Sequence, residues 1–109
     1  MMEKIVRQSL LFDFYGSLLT QHQQEVYCNA VFNDMSLSEV AEEYGISRQA
    51  AHDLIKRCDR IMEGYEYRLN VIEHYRKLQR LTEEARQALH YNDKETLEEI
   101  FSEMDNLFS

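Results

Sequence analysis

The chain has 109 residues, a formal net charge of −8 at pH 7, 44% hydrophobic residues, no proline and three glycines. This length fits one small domain, or a small domain with a helical extension, and the shortage of helix breakers predicts an all-α fold. The longest apolar run, at residues 10–12, is too short to span a membrane, and the N-terminus resembles no secretory signal. We therefore expect no membrane insertion.

Two cysteines, Cys28 and Cys58, lie inside predicted helices, away from any disulfide framework. Small buried thiols of this kind are typical of a reducing compartment. The sequence therefore predicts a cytoplasmic protein.

The first two predicted helices precede residue 33. One covers residues 3–15 and ends at Gly16, and a capping box of Thr20 and Gln23 opens the next, which runs to about Phe32. Asn33 and Asp34 form a turn. The apolar residues expected inside are Ile5, Leu11, Phe12, Phe14 and Tyr15 of the first helix, and Val26, Tyr27, Ala30 and Val31 of the second.

Residues 36–58 have the pattern of a helix-turn-helix. Ser36 and Glu39 form a capping box, Gly45 supplies a left-handed stop, and Ser47 caps a second helix. The predicted inner residues are Val40, Ala41 and Tyr44 of the first helix and Ala51, Leu54, Ile55 and Cys58 of the second. Two short helices joined by a glycine-containing turn place the second helix in a DNA major groove.

An apolar stripe continues beyond the motif, with three- and four-residue intervals across residues 54–89. No strong stop follows Arg48 until residues 91–93, although Gly64 is a weak point at which a break or kink is possible. A long helix of this kind needs a partner for its stripe. The stripe consists of Leu54, Cys58, Ile61, Tyr65, Leu69, Ile72, Tyr75, Leu78, Leu81, Ala85 and Leu89.

A final amphipathic helix is predicted after Asn92, which we expect to be its N-cap, with Glu95 at the capping-box position. This helix either folds back on the long helix or packs on a second subunit. We expect both helices to contribute to a homodimer. The apolar face comprises Leu97, Ile100, Phe101, Met104, Leu107 and Phe108.

The sequence thus predicts a helix-turn-helix head at residues 1–62 and a helical extension at residues 63–109 for dimerisation or interaction. The head carries six basic and nine acidic side chains, and the extension carries six basic and eleven acidic ones. Residues 47–60 have a local charge of +2. Because phosphate neutralisation supplies most non-specific affinity, so small a basic excess predicts weak DNA binding unless dimerisation doubles the contacts.

The segment LLTQHQQEVYCNAVFNDMSLSEVAEEYGISRQAAHDLIKR, residues 18–57, resembles region 4 of bacterial sigma factors. Within that group it is most similar to the YlxM family of small helix-turn-helix proteins from Gram-positive bacteria. The segments FYGSLLT, LSEVAEEYGISRQA and Asp53–Arg57 carry this resemblance, which covers about residues 3–90. Ala51 departs from the sigma pattern, in which a β-branched residue is common.

The resemblance implies a sigma region 4-like head on an all-α chain. YlxM-like proteins are encoded beside the signal recognition particle GTPase and its receptor. The resemblance therefore implies a role in, or regulation of, the signal recognition particle pathway, with a possible protein partner there.

The candidate DNA-binding residues lie on the outer face of the second motif helix. Near its N-terminus Arg48 and Gln49 are placed to read base edges, whereas Lys56 and Arg57 are placed to meet phosphates. Ser47 is also a candidate, although its capping role already explains it. The full set is Ser47, Arg48, Gln49, His52, Asp53, Lys56 and Arg57.

Other functions are less well supported by the sequence. The four histidines are too scattered for a metal site, no catalytic constellation or cofactor motif occurs, and we expect neither an enzyme nor a cofactor. Tyr65, Tyr67 and Tyr75 could stack on RNA bases, but their spacing favours a core or dimer seam. The main alternative is a protein-interaction module that binds a component of the targeting machinery without binding DNA, because acidic surfaces favour basic protein partners.

Overall fold

A computed structural model describes residues 2–107 of the chain. These residues form six α-helices and no strand, in agreement with the predicted all-α fold. The helices are α1 (Lys4–Tyr15), α2 (Gln21–Tyr27), α3 (Leu37–Tyr44), α4 (Arg48–Leu69), α5 (Val71–His90) and α6 (Lys94–Asp105). A 3₁₀ turn at Gly16–Leu18 follows α1, and a π-helical turn at Cys28–Phe32 extends α2.

The predicted starts of α2, α3 and α4 are confirmed. Thr20 and Gln23 form a complete capping box at α2, and Ser36 and Glu39 form another at α3. At α4 the Ser47 Oγ accepts the backbone N–H of Ala50 at 3.0 Å. In each case a side chain satisfies a helix N–H that has no partner within the helix.

The glycine after α1 is required by a close approach. A Cβ at Gly16 would lie 2.8 Å from the ring of Phe12. That ring stacks on Tyr27, with 5.6 Å between the ring centroids, and meets Phe32 edge-on at 5.7 Å. Gly16 therefore allows an aromatic cluster to join α1 to α2.

Helix α4 is continuous through Gly64 and ends at Leu69. Asn70 has φ 55° and ψ 30°, a left-handed conformation that interrupts the helix, and α5 begins at Val71. Asparagine tolerates this conformation better than most residues. Asn70 therefore ends α4, although the apolar residues on both sides of it continue the helical pattern. The apolar spacing across residues 54–89 did not mark this position.

The chain divides between Leu69 and Asn70 into two compact units, and the predicted head of residues 1–62 lies within the first. The core of the first unit includes a cluster of Val26, Val40 and Ala51. Two predicted inner residues of α1, Ile5 and Phe14, are exposed instead. The other fully buried side chains of this unit include Leu11, Tyr27, Cys58 and Met62.

In the second unit α6 folds back on α5. Leu81 and Ala88 of α5 pack against Ile100 of α6, and Ala85, Leu97 and Met104 surround this cluster. Part of the predicted stripe stays exposed on α5, where Tyr75 and Leu78 line an open groove of about 320 Å³. Phe101 is also exposed, and Phe108 lies outside the described residues.

The predicted N-cap of α6 is wrong. Asn92 has φ 55° and belongs to the preceding turn, whereas Asp93 is the cap. Its carboxylate accepts the Thr96 N–H at 3.1 Å and the Thr96 hydroxyl at 2.6 Å. These hydrogen bonds lower the pKa of Asp93. Thr96, not Glu95, therefore occupies the third helical position, because the turn is one residue longer than predicted.

Candidate nucleic-acid interface

The turn between α3 and α4 has the geometry of a helix-turn-helix. Gly45 has φ 65°, and only three residues separate Tyr44 from Arg48. The N–H of Ile46 donates to the Ala41 carbonyl oxygen at 3.0 Å. A glycine in this left-handed conformation ends α3 and redirects the chain into α4.

The inner side of α4 is held by apolar packing. Ala51 is buried with Val26 of α2 and Val40 of α3, and Leu54 packs against the same cluster. Because these contacts bury one side of α4, they leave its opposite side to solvent. The fold thereby determines which side chains a ligand of α4 can meet.

Polar contacts also hold α4 to α1 and α2. The Tyr27 hydroxyl donates to Asp59 Oδ1 at 2.6 Å, and the Gln8 amide donates to the same carboxylate at 3.2 Å. Burial, followed by the hydrogen bond to Asp59, raises the pKa of Tyr27 above its ordinary value. Burial also raises the pKa of Cys58 to about 11, so this thiol stays protonated near neutral pH.

Two further contacts lie along α4. The Arg7 guanidinium donates to both carboxylate oxygens of Glu63, at 2.8 and 2.7 Å, and the Tyr15 hydroxyl donates to Glu66 Oε1 at 2.6 Å. The hydrogen bond from Arg7 lowers the pKa of Glu63. The sequence gives no sign of this network, because its partners are far apart along the chain and no local pattern links them.

The structure places all seven candidate residues at the start of α4 or directly before it. Lys56 is half-buried and the other six are exposed. The Gln49 amide donates to Asp53 Oδ1 at 2.9 Å, and the His52 Nδ1 lies 3.4 Å from the same oxygen. Gln49, His52 and Asp53 therefore form one cluster. Among residues 2–107, the side chains of Arg48, Lys56 and Arg57 form no ion pair.

Lys56 and Arg57 line two different grooves beside α4. The first, which we call the arginine groove, has a volume of about 1030 Å³ and is lined by Thr20, His22, Gln23, Ala50, Asp53, Leu54, Arg57, Arg60 and Ile61. The second, the lysine groove, has a volume of about 540 Å³ and is lined by Lys4, Ile5, Gln8, Ala30, Val31, Met35, Leu37, His52, Ile55, Lys56 and Asp59.

Arg60 is not among the predicted DNA-binding residues, although its side chain contributes to the local charge of +2 at residues 47–60. Arg60 is exposed and lines the arginine groove with Arg57. Residues three apart on a helix share a side, so the spacing of these two arginines was an available signal. Lys4 reaches the lysine groove from α1, and no sequence pattern indicated that position.

Within residues 2–107, no group of three or more His, Cys, Asp or Glu side chains could hold a metal ion. None of the helices in this range is long and apolar enough to cross a membrane.

The chain is similar to known proteins over most of its length. Residues 2–104 match the UPF0122 family model, described as "Putative helix-turn-helix protein, YlxM / p13 like". The chain belongs to this family. A UPF0122 protein from Symbiobacterium thermophilum is 48% identical over 89 residues, which cover 81% of this chain and 82% of the relative. UPF0122 proteins from Bacillus mycoides and Bacillus cereus are 44% and 43% identical over 89 residues, covering 82% of this chain and 81% of each relative.

Membership of the YlxM/p13-like family confirms the predicted resemblance. The matched region spans both compact units and includes the whole motif from Ser36 to Cys58. The family is described by its helix-turn-helix. A helix-turn-helix of this kind is the motif by which many proteins bind DNA.

Proposed function

We propose that this YlxM/p13-like chain is a DNA-binding regulatory protein that docks the start of α4 in the major groove. The observation that carries the proposal is the outer face of α4, where Arg48 and Arg57 are exposed and Lys56 is half-buried, and where none of the three forms an ion pair within residues 2–107. Cations without a protein partner are available to phosphates, and releasing the counterions of those phosphates supplies binding free energy.

The side chains have different roles in this proposal. Arg48 and Gln49 contact base edges near the helix N-terminus, and Lys56 and Arg57 contact phosphates. The bond from Gln49 to Asp53 uses one of the two amide N–H groups. The second N–H and the amide oxygen remain free to pair with an adenine edge. Asp53 therefore positions Gln49, at the cost of a negative charge on the DNA-facing surface.

The proposal includes a homodimer formed through the exposed part of α5, where Tyr75 and Leu78 line a groove. Two α4 helices related by a two-fold axis would read half-sites about 34 Å apart, or a multiple of that distance. The dimer would also double the small basic excess of each α4. We further propose that the regulation is cytoplasmic and concerns the signal recognition particle pathway, as the family resemblance implies.

Fluorescence anisotropy with labelled genomic duplexes tests the DNA-binding proposal. The variant Arg48→Ala/Lys56→Ala removes one proposed base contact and one phosphate contact, and we expect at least a tenfold loss of affinity, because each removed contact costs about 1 kcal/mol or more. Arg76→Ala/Lys77→Ala on α5 is the matched control, with the same change of charge on exposed residues. An affinity that is unchanged in the first variant contradicts the proposal.

A second candidate function is a protein-interaction module that binds a component of the targeting machinery without DNA. The exposed Tyr75 and Leu78 favour it, as does the excess of acidic side chains in residues 63–109. Sedimentation velocity separates the two uses of this surface. If wild type is a dimer at micromolar concentration and Leu78→Asp is a monomer, the surface pairs two copies.

A wild-type protein that remains monomeric refutes the dimer and leaves the surface for another protein. Phe101→Asp on α6 is the control, because Phe101 is exposed but does not line the groove. Pull-down with wild type and with Leu78→Asp then tests the second function. Loss of the same captured partner only in Leu78→Asp supports it, whereas retained capture contradicts it.

A further inference from the structure

The lining of the lysine groove has an apolar part, which we call its floor. Ala30 and Val31 of the π-helical turn, Met35, Leu37 at the start of α3, and Ile55 of α4 line a space of about 540 Å³. Ile5 of α1 lies at its edge and is 45% exposed. Exposed aliphatic surface beside an open groove is a feature of protein-binding sites.

The same lining contains two lysines, which we call its rim, on a chain whose net charge is −8. Lys4 and Lys56 line it from opposite elements, α1 and α4, and neither forms an ion pair within residues 2–107. Of the described residues that line the groove, Asp59 alone bears a carboxylate, and it accepts hydrogen bonds from Tyr27 and Gln8. Because both donors are neutral, they leave one carboxylate against two ammonium groups, and the lining has an excess of one positive charge.

We propose that the lysine groove binds an amphipathic helix of a partner protein that carries acidic side chains at the border of its apolar face. Apolar side chains of that helix would fill the floor, and its carboxylates would lie beside Lys4 and Lys56. An apolar floor suits a helix face and offers nothing to a phosphate. Opposite charge at the rim then selects an acidic partner over a basic one.

The proposal has a consequence that rests on the proposed DNA function. His52 and Lys56 line this groove and also belong to the proposed DNA-binding face. A partner helix in the groove would therefore cover Lys56 and place acidic groups beside the phosphates. Partner and DNA would compete for the same protein.

Peptide selection tests the binding. The full-length protein is presented with a display library of peptides about 16 residues long, which is enough for a helix of roughly 24 Å. We expect the selected peptides to repeat apolar residues at intervals of three and four, with Asp or Glu beside them. Selection of basic peptides, or of none, overturns the proposal.

Two variants on α1 locate the site. We expect Ile5→Asp to weaken the strongest selected peptide at least about tenfold, as measured by fluorescence anisotropy, because it puts a charge at the edge of the apolar floor. Val6→Asp is the matched control, since Val6 is 46% exposed on the same helix but does not line the groove. Equal losses in both variants overturn the assignment of the site. A changed sedimentation coefficient for Ile5→Asp would mean that a second copy fills the groove, which also overturns it.

A charge swap tests the rim. We expect Lys4→Glu to weaken the peptide, and replacement of a peptide Glu by Lys to restore binding to that variant. No restoration with any acidic position contradicts the proposed pairing. Competition with a labelled duplex then separates the two proposals. Displacement of DNA by the peptide supports the shared use of Lys56, and simultaneous binding of both overturns it. A peptide that binds a protein with no DNA affinity supports the groove and contradicts the DNA function.

Discussion

The salt dependence of DNA binding reflects how many basic side chains of α4 neutralise phosphates. Arg7 is held by Glu63, whereas Arg48, Lys56 and Arg57 on α4 form no ion pair within residues 2–107. Each phosphate neutralised contributes about −0.9 to the slope of log K against log salt. Lys56 and Arg57 are the two proposed phosphate contacts of each protomer, so they predict a slope of about −1.8, and an affinity about 12-fold lower at about 200 mM salt than at about 50 mM.

The perturbation is Lys56→Gln/Arg57→Gln, which removes two charges and leaves Arg48 in place. We expect the slope to fall to about zero per protomer, with little loss of affinity over the same salt range, because both phosphate contacts are removed. Fluorescence anisotropy of a labelled duplex, titrated at several salt concentrations, measures the slope directly. Glutamine keeps a polar side chain of similar length, so the change is mainly one of charge.

The control is Arg76→Gln/Lys77→Gln, which changes the net charge equally on the exposed surface of α5. If the slope falls equally in both double variants, the effect reflects net charge and not contact. If the α4 variant keeps the wild-type slope, Lys56 and Arg57 meet no phosphates and the docking proposal is refuted.

Three further predictions concern stability, measured by urea unfolding. Gly16→Ala should destabilise the fold by about 1–3 kcal/mol, because the new Cβ would lie 2.8 Å from the packed ring of Phe12. Gly64→Ala should stabilise it by up to about 1 kcal/mol, since a Cβ there meets nothing within 4 Å and alanine favours a helix interior. Glu63 has a lowered pKa through its hydrogen bond from Arg7, so this pair stabilises the fold above the ordinary value of 4.5 and the stability is lost as the pH falls through the lowered pKa. Glu63→Gln should flatten that part of the pH profile.

The outcomes that contradict these predictions are distinct. An unchanged midpoint for Gly16→Ala would show that the Phe12 ring moves aside without cost. Destabilisation by Gly64→Ala would mean that α4 needs flexibility at this position. A wild-type pH profile that Glu63→Gln leaves unchanged in the acid range would show that the bond to Arg7 adds no net stability.

Much of the fold was predictable because its signals are local. The caps at Thr20, Ser36 and Ser47 and the stop at Gly45 each depend on hydrogen bonds or backbone preferences within four residues. Two helix boundaries were predicted wrongly. Asn70 interrupts a helix that the apolar intervals continue, and Asp93 caps α6 in place of its neighbour.

The candidate interface was predictable as a set of positions on one helix face. The hydrogen bonds among these side chains were only partly predictable. The bond from Gln49 to Asp53 joins residues four apart, a spacing at which side chains on a helix are neighbours. No sequence pattern predicted the two grooves, because the residues that line each groove come from different helices. Lys4 and Lys56 meet at one groove although 51 other residues separate them along the chain.

Short-range patterns in the sequence are sufficient to predict the all-α fold, the starts of α2, α3 and α4, the capped turn of the motif and the family. The charged side chains of α4 that remain available to a ligand depend on contacts between distant helices. Asp59 is occupied by Tyr27 and Gln8, and Glu63 by Arg7, through contacts between residues 32–56 positions apart. Such contacts form when apolar packing brings distant helices together, and their energy depends on distances that a linear pattern does not contain. The sequence therefore determines which side chains α4 carries, and the fold decides which of them a ligand can contact.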